Sequence, residues 1–225
     1  MTARAKLILE FTGYWVSGTG AARGRDVDVV TYRDAQKLPA MPMTQVKGLL
    51  RETAERLAAA RCGAWTPPLV VRLFGPSSRV WGNATRDTRL AGKGTRDSLT
   101  HDDQQDLRER DGGALGFRGD ARLAGKETRD WLAHDDQQHL RERLFARLPA
   151  TAIDENTGAA LDHSLRGIEA AVPVTLEGLV EWVATSDPDI DWVAALDLAC
   201  AATVAFGKLK GDGYGRVIGR AELLP

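Results

Sequence analysis

Residues 207–219 read GKLKGDGYGRVIG. Five of these thirteen positions are glycine, Lys208, Lys210 and Arg216 lie between them, and Tyr214 is the one aromatic. Glycine opens backbone conformations closed to other residues and lets a ligand come close to the main chain. Exposed amides beside two lysines and an arginine make a surface for a polyanion. The same composition also suits a plain glycine-rich hairpin turn. Neither standard mononucleotide motif is present: there is no GxxxxGK[ST], and the stretch follows a helix-like run rather than a strand.

Working outward, residues 191–206 (DWVAALDLACAATVAF) carry a helical pattern through Trp192, Leu196, Ala199 and Val204, with Asp191 as the expected N-cap. Residues 216–224 read as a closing strand. At the other end, KLILEFTGYW (6–15) alternates around Leu7, Leu9 and Phe11 and reads as the first strand. A small-residue loop (17–24) follows it, then Asp26, Asp28 and Asp34, with VDVVTY as a short strand or extended edge. Pro39 and Pro42 precede a helix expected from Thr44, as N-cap, to about Ala60. Val46, Leu49, Leu50, Ala54 and Leu57 share one of its faces, and Lys47 and Arg51 a neighbouring one. LVVRLF (69–74) reads as a short buried segment. IEAAVPVTLEGLVEWV (168–183) reads as one long strand with Pro173 marking an edge or bulge.

One feature interrupts this order. Residues 87–110 (DTRLAGKGTRDSLTHDDQQDLRER) recur thirty-three residues downstream as 120–143 (DARLAGKETRDWLAHDDQQHLRER). Two copies are too few to bury a solenoid core. The second carries the better core residues, Trp131 with Leu144, Phe145 and Leu148 beyond it, so it reads as the native element and the first as a surface excursion. Residues 152–160, with the turn signal Asn156-Thr157-Gly158, look like a hairpin tip.

The totals narrow the class. A chain of 225 residues is long enough for one large domain or two small ones, with a real core. Net charge is −1, so a nucleic-acid surface must be a local patch. Two cysteines, Cys62 and Cys200, argue against a disulfide framework or a cysteine zinc site. No apolar run is long enough for a membrane span and no signal peptide precedes the first strand, so the expectation is a cytoplasmic protein with no membrane partner. Strand, helix, strands, helix, strand is the order of a ferredoxin-like (RRM-like) α+β domain.

Several segments, in order, resemble the RAMP superfamily, the ferredoxin-like RNA-binding subunits of CRISPR effector complexes. PAMPMTQVKGLLR (39–51) resembles that family's helix start, although Met43-Thr44-Gln45 stands where the family usually has Gly-Ser-Ser. VRLFG (71–75) resembles its Leu-Phe-Gly signature, and residues 207–217 its C-terminal glycine-rich loop. FRGDARL (117–123) resembles its strand ending in aspartate. The resemblance implies a single RAMP domain over 1–225, with a central insertion over 77–166 that contains both repeat copies and forms a thumb hairpin near 152–166.

The nearest likeness is to the backbone subunit of type III effectors. It implies guide (CRISPR) RNA, target RNA, copies of the same chain and other effector subunits as partners. It also implies endoribonuclease activity on paired target RNA with Mg²⁺ or another divalent ion. The family's loop aspartate precedes an Arg-Asp pair, here Arg33-Asp34. That spacing selects Asp28 as catalytic and metal-binding residue, with Asp26 in reserve. Such cleavage uses the ribose 2′-hydroxyl as nucleophile, so the protein positions and neutralises. Guide contacts are expected at Lys47, Arg51, Lys208, Lys210, Gly211, Gly213, Tyr214 and Arg216. The competing readings are a non-catalytic subunit that caps or spaces the complex, a guide-processing ribonuclease, and a generic single-stranded RNA-binding module. A guide-processing enzyme wants an early histidine, and none precedes His101. His134 and His139, in HDDQQH, are spaced to diverge on a helix, and His163 reads as structural.

Overall fold

The computed structural model describes residues 3–18, 29–75, 113–151, 159, 166–184 and 189–225. Asp26, Asp28, the first repeat copy, His101, His163 and most of the expected hairpin tip lie outside these residues.

The eight-residue strand β1 (Arg4–Phe11) alternates as expected, with Ala5, Leu7, Leu9 and Phe11 buried. It lies between β7 (Thr175–Trp182) and β8 (Val217–Leu224), antiparallel to both. Beyond β7 come β4 (Asp120–Leu123) and then β2 (Ala40–Pro42), while β3 (Leu115–Phe117) also pairs with β7. On one face, α1 (Met43–Ala59), α2 (Pro67–Phe74) and α5 (Trp192–Ala201) close the core, Val46, Leu50, Leu73 and Leu196 packing with Leu7 and Leu9. The opposite face carries cross-strand ion pairs, Arg4 with Glu181 at 2.9 Å and Lys6 with Glu177 at 3.4 Å. This is the mixed, ferredoxin-like α+β architecture. Among the described residues no helix is long and apolar enough to cross a membrane.

The outer edge of β8 is not free to recruit another strand. Val217 N–H donates to the Val204 carbonyl at 3.1 Å, and Ala221 N–H donates to the Asp197 carboxylate on α5 at 2.8 Å.

Several elements differ from their sequence reading. LVVRLF, read only as a short buried segment, is the body of helix α2. Thr66 caps it by accepting from Leu69 N–H, Pro67 and Pro68 occupy its first positions, and Val70, Leu73 and Phe74 are buried at helical spacing. Thr44 does not cap α1, because the chain enters from β2 and Met43 N–H is already satisfied by the Gly119 carbonyl at 2.9 Å. Residues 168–183 are not one strand. Proline cannot continue a ladder, and at Val172-Pro173-Val174 the chain leaves one sheet for another. β6 (Arg166–Ala171) pairs with β5 (Phe145–Ala150) in a separate two-stranded sheet, whereas β7 joins the main sheet.

Residues 115–123, within the stretch 77–166 read as an insertion, supply two strands of the principal sheet. The second repeat copy thus begins on β4 and continues through α3 (Lys126–Ala133) and α4 (Gln138–Arg143). Trp131 is not a core residue: it is 50% exposed, and its neighbour Leu132 is buried with Leu38 and Leu123.

Candidate nucleic-acid interface

Two arms leave the main sheet and frame residues 19–28, the stretch that holds Asp26 and Asp28. The inbound arm follows β1. Trp15 is fully buried, stacks on Phe11 at 4.4 Å and donates its indole N–H to the Val172 carbonyl at 3.0 Å. Its backbone exchanges both hydrogen bonds with Ala171, fastening the arm to the end of β6. The outbound arm, from Val29, pairs with it: Tyr32 N–H donates to the Ser17 carbonyl at 2.6 Å, and Gly18 bridges Thr31. Ser17 Oγ in turn donates to Gln45 on the first turn of α1 at 2.9 Å. The described residues on either side of 19–28 therefore form a closed neck beside the start of α1.

The outbound arm is docked on Glu169 of β6. Glu169 N–H donates to the Val29 carbonyl at 2.9 Å, Thr31 Oγ1 donates to the Glu169 carbonyl at 2.6 Å, and Arg33 pairs with the Glu169 carboxylate at 3.0 Å. The Arg33 guanidinium also lies 3.7 Å above the Phe145 ring of β5. Asp34, buried, closes the turn by accepting from the backbone N–H groups of Gln36 and Leu38, both at 2.9 Å. The Arg-Asp pair thus has a structural role: one residue fastens the arm to the β5–β6 hairpin and the other shapes its turn. Tyr32 points the other way, its hydroxyl 3.3 Å from the Asp120 carboxylate, and burial followed by that carboxylate holds it above the ordinary tyrosine range.

The glycine loop packs against the inbound arm. Lys208 N–H donates to the Val16 carbonyl and Gly215 N–H to the Tyr14 carbonyl, both at 2.8 Å. Gly215 has φ +76°, and a Cβ there would collide with the Phe206 carbonyl oxygen. Gly211 is different: nothing lies near its missing Cβ, so its backbone is open to an approaching ligand.

The cations expected from sequence gather round this loop and α1. The Lys208 stem crosses Gly18 at the neck, in the space a side chain there would fill. Lys210 reaches Glu52 of α1 at 3.9 Å, a loose and exposed pair. Arg51 is engaged by Glu55 at 3.1 Å. Lys47 is half-buried with no carboxylate among the described residues paired to it. Burial, and then the charge of Arg51, hold it below the ordinary lysine range, a state that an arriving phosphate would relieve. Arg216 and Gly213 border a groove of about 690 Å³ with Lys210, Gly211 and the exposed side chains of Val204 and Ile218. Tyr214 also borders the groove but packs on Val16, Ile168 and Ala170, so its ring is part of a small core.

His134 and His139 are exposed, and among the described residues no three His, Cys, Asp or Glu side chains converge as a metal site. The docking of the outbound arm on Glu169 had no sequence signal, since a strand glutamate reads as solvated until its partners are known.

No protein-family model and no curated protein matches the chain. Among solved structures it is similar to a chain in the cryo-EM structure of a type III-B Cmr-beta complex bound to cognate target RNA, at 14% identity and a TM-score of 0.60. The match covers 99% of this chain and 61% of the other, so the present chain spans about three-fifths of its neighbour's length. The likeness to this RNA-bound neighbour is one of fold.

Proposed function

We propose that the chain is an RNA-binding backbone subunit of a type III CRISPR effector. It holds guide RNA along the glycine loop and α1 and cleaves the paired target beside the neck. The observation that carries this reading is the seating of the glycine loop. The loop is fastened through Lys208 N–H and Gly215 N–H to the arm that leads into the Asp26–Asp28 stretch, and it carries exposed Lys208 and Lys210 beside the unobstructed backbone of Gly211. Phosphate contacts there fix a polynucleotide without reading its sequence. The N-terminal turn of α1 adds a favourable dipole end near Lys47. A backbone held on this side sets the register of the strand reaching residues 19–28, a positioning effect on in-line attack by a 2′-hydroxyl.

Asp28 is the residue proposed to accept the hydroxyl proton or to bind a divalent ion, with Asp26 its neighbour in reserve. The described residues form no metal cluster of their own. A divalent ion required by the reaction would take its protein ligands from Asp28 or Asp26 and the rest from RNA and water.

The test is cleavage of labelled target RNA by reconstituted complex, with Mg²⁺ and with chelator. Asp28→Ala is expected to abolish cleavage while guide binding stays unchanged, and Asp26→Ala to leave cleavage largely intact. Full cleavage in both variants would remove the nuclease assignment. Guide binding without cleavage by the unaltered chain would leave a spacing subunit.

A further inference from the structure

The principal sheet has a gap where β3 gives way to β4. Phe117 stands opposite Val180 and Arg122 opposite Glu177, so residues 118–121 face only Gly178 and Leu179 on β7. Asp120 and Ala121 pair with β2 instead. A mismatch of this kind opens the ladder and re-aims side chains, as a β-bulge does. Alternate residues of an antiparallel strand turn their backbone groups to the same edge. On this edge the Thr175 carbonyl accepts from Ala124 N–H and Val183 N–H donates to the Ala114 carbonyl, both at 2.8 Å. Leu179, midway between Thr175 and Val183, turns its N–H the same way, and no residue of β3 or β4 stands in register with it. That donor is left to solvent or to a ligand.

A hollow of about 380 Å³ opens at this gap and is lined by Gly178 and Leu179. Its wall carries four cations, Lys6, Arg118, Arg122 and Arg129, against two carboxylates, Asp120 and Glu177. Both carboxylates are engaged: Asp120 receives the Tyr32 hydroxyl at 3.3 Å, and Glu177 takes Lys6 at 3.4 Å. Arg129 is tied through its guanidinium to the Leu123 carbonyl. Arg118 and Arg122 are exposed, and among the described residues neither has a carboxylate within ion-pair distance. The unspent charge is therefore positive, on two planar forks beside an open N–H.

A phosphate monoester suits this set better than a carboxylate, because it offers three acceptor oxygens to three donors. The hollow is larger than one phosphate needs and falls within the roughly 300–1,000 Å³ of small-molecule sites. Leu179 and Leu224 give its wall an apolar part. It shares no lining residue with the groove at the glycine loop. We propose that this hollow binds a phosphate monoester of mononucleotide size, with Arg118, Arg122 and the Leu179 N–H on the phosphate and Leu179 and Leu224 against the remainder. The site stands whether or not the glycine loop holds RNA.

The test is isothermal titration of the full chain with adenosine monophosphate and with adenosine. The nucleotide is expected to bind at least about ten-fold more tightly than the nucleoside. Arg118→Gln and Arg122→Gln each remove one fork from an exposed position. Each should lower nucleotide affinity about ten-fold, the scale of one charge-assisted hydrogen bond, with Tm unchanged. Arg118 lies outside every strand, so its variant carries the test if Arg122→Gln disturbs β4. Lys208→Ala with Lys210→Ala, at the glycine loop, should leave nucleotide binding as it was. A trinucleotide with and without a 5′-phosphate, titrated into that lysine variant, separates two sources of the same group. Preference for the phosphorylated form supports the site with an RNA end as ligand, and equal, weak binding of both supports it with a free nucleotide. Equal affinity for nucleotide and nucleoside overturns the proposal, as does nucleotide binding that survives both arginine variants or falls with the lysine pair instead. Binding of neither the nucleotide nor the phosphorylated RNA removes the site and leaves the glycine-loop reading untouched.

Discussion

Replacing Gly215 with alanine separates glycines needed for packing from glycines open to a ligand. At φ +76° an alanine costs about 1–2 kcal/mol for the left-handed conformation. Its Cβ would also meet the Phe206 carbonyl oxygen, and relieving that clash pulls apart two backbone hydrogen bonds. These are Phe206 N–H to the Gly215 carbonyl at 2.9 Å and Gly215 N–H to the Tyr14 carbonyl at 2.8 Å, each worth about 1 kcal/mol net. Together they give about 3–4 kcal/mol, or roughly 6–16 °C in Tm for a chain of this size. Gly211→Ala, in open space, should stay within about 0.5 kcal/mol of the unaltered protein. Thermal and urea unfolding followed by circular dichroism measure both. A Gly215→Ala protein that melts within about 1 °C of the parent would refute the claim that this loop is shaped by contact with residues 14–18 and 206.

Lys208→Ala with Lys210→Ala should weaken RNA binding about equally for unrelated sequences and lower the slope of log affinity against log salt by up to about two, read from filter binding at several salt concentrations. Cys62 is exposed and should react with a thiol reagent in the native protein. Cys200 is buried, its thiol pushed up to about 12 by burial and secondarily by Asp197, and should react only after unfolding. Because that value is raised in the folded state, the stability it contributes is present below the unfolded value near 8.5 and is lost as pH climbs toward 12, which unfolding titrations would follow. Gly113 abuts Leu73 and Gly75, and Ala114 N–H donates to the Arg72 carbonyl at 2.8 Å, so the ends of the segment 76–112 meet. Replacing it with a short linker should leave Tm within a few degrees, whereas a deletion running through Gly119 removes buried Leu115 and Phe117 and should unfold the protein.

The parts of the fold legible in sequence are those whose pattern is set by one buried face. β1, α1, α5 and β8 each show their period because solvent lies on one side and the core on the other. α2 was hidden by its β-branched run, although Thr66-Pro67-Pro68 held the cap that identifies it. The break at Pro173 was visible, but not that it moves the chain between sheets, since a strand's partner is not written in its own residues. The cations of the interface were readable as composition. What holds their frame was not: Glu169, Phe145 and Arg33 are far apart in the chain and their meaning comes from being brought together.

The place of β1 has a further consequence, for synthesis. Among the described strands β1 comes first in the chain yet lies inside the sheet, and both its neighbours, β7 and β8, come from the last third of the described chain. Residues 4–11 must therefore wait, edges unpaired, until residues near 182 and then 224 have emerged. An apolar strand held open that long is the segment most exposed to wrong partners during translation. Arg4, Lys6 and Glu10 put charge toward both ends of it while it waits, so Arg4 and Lys6, which later pair with Glu181 and Glu177, first serve as a guard against aggregation.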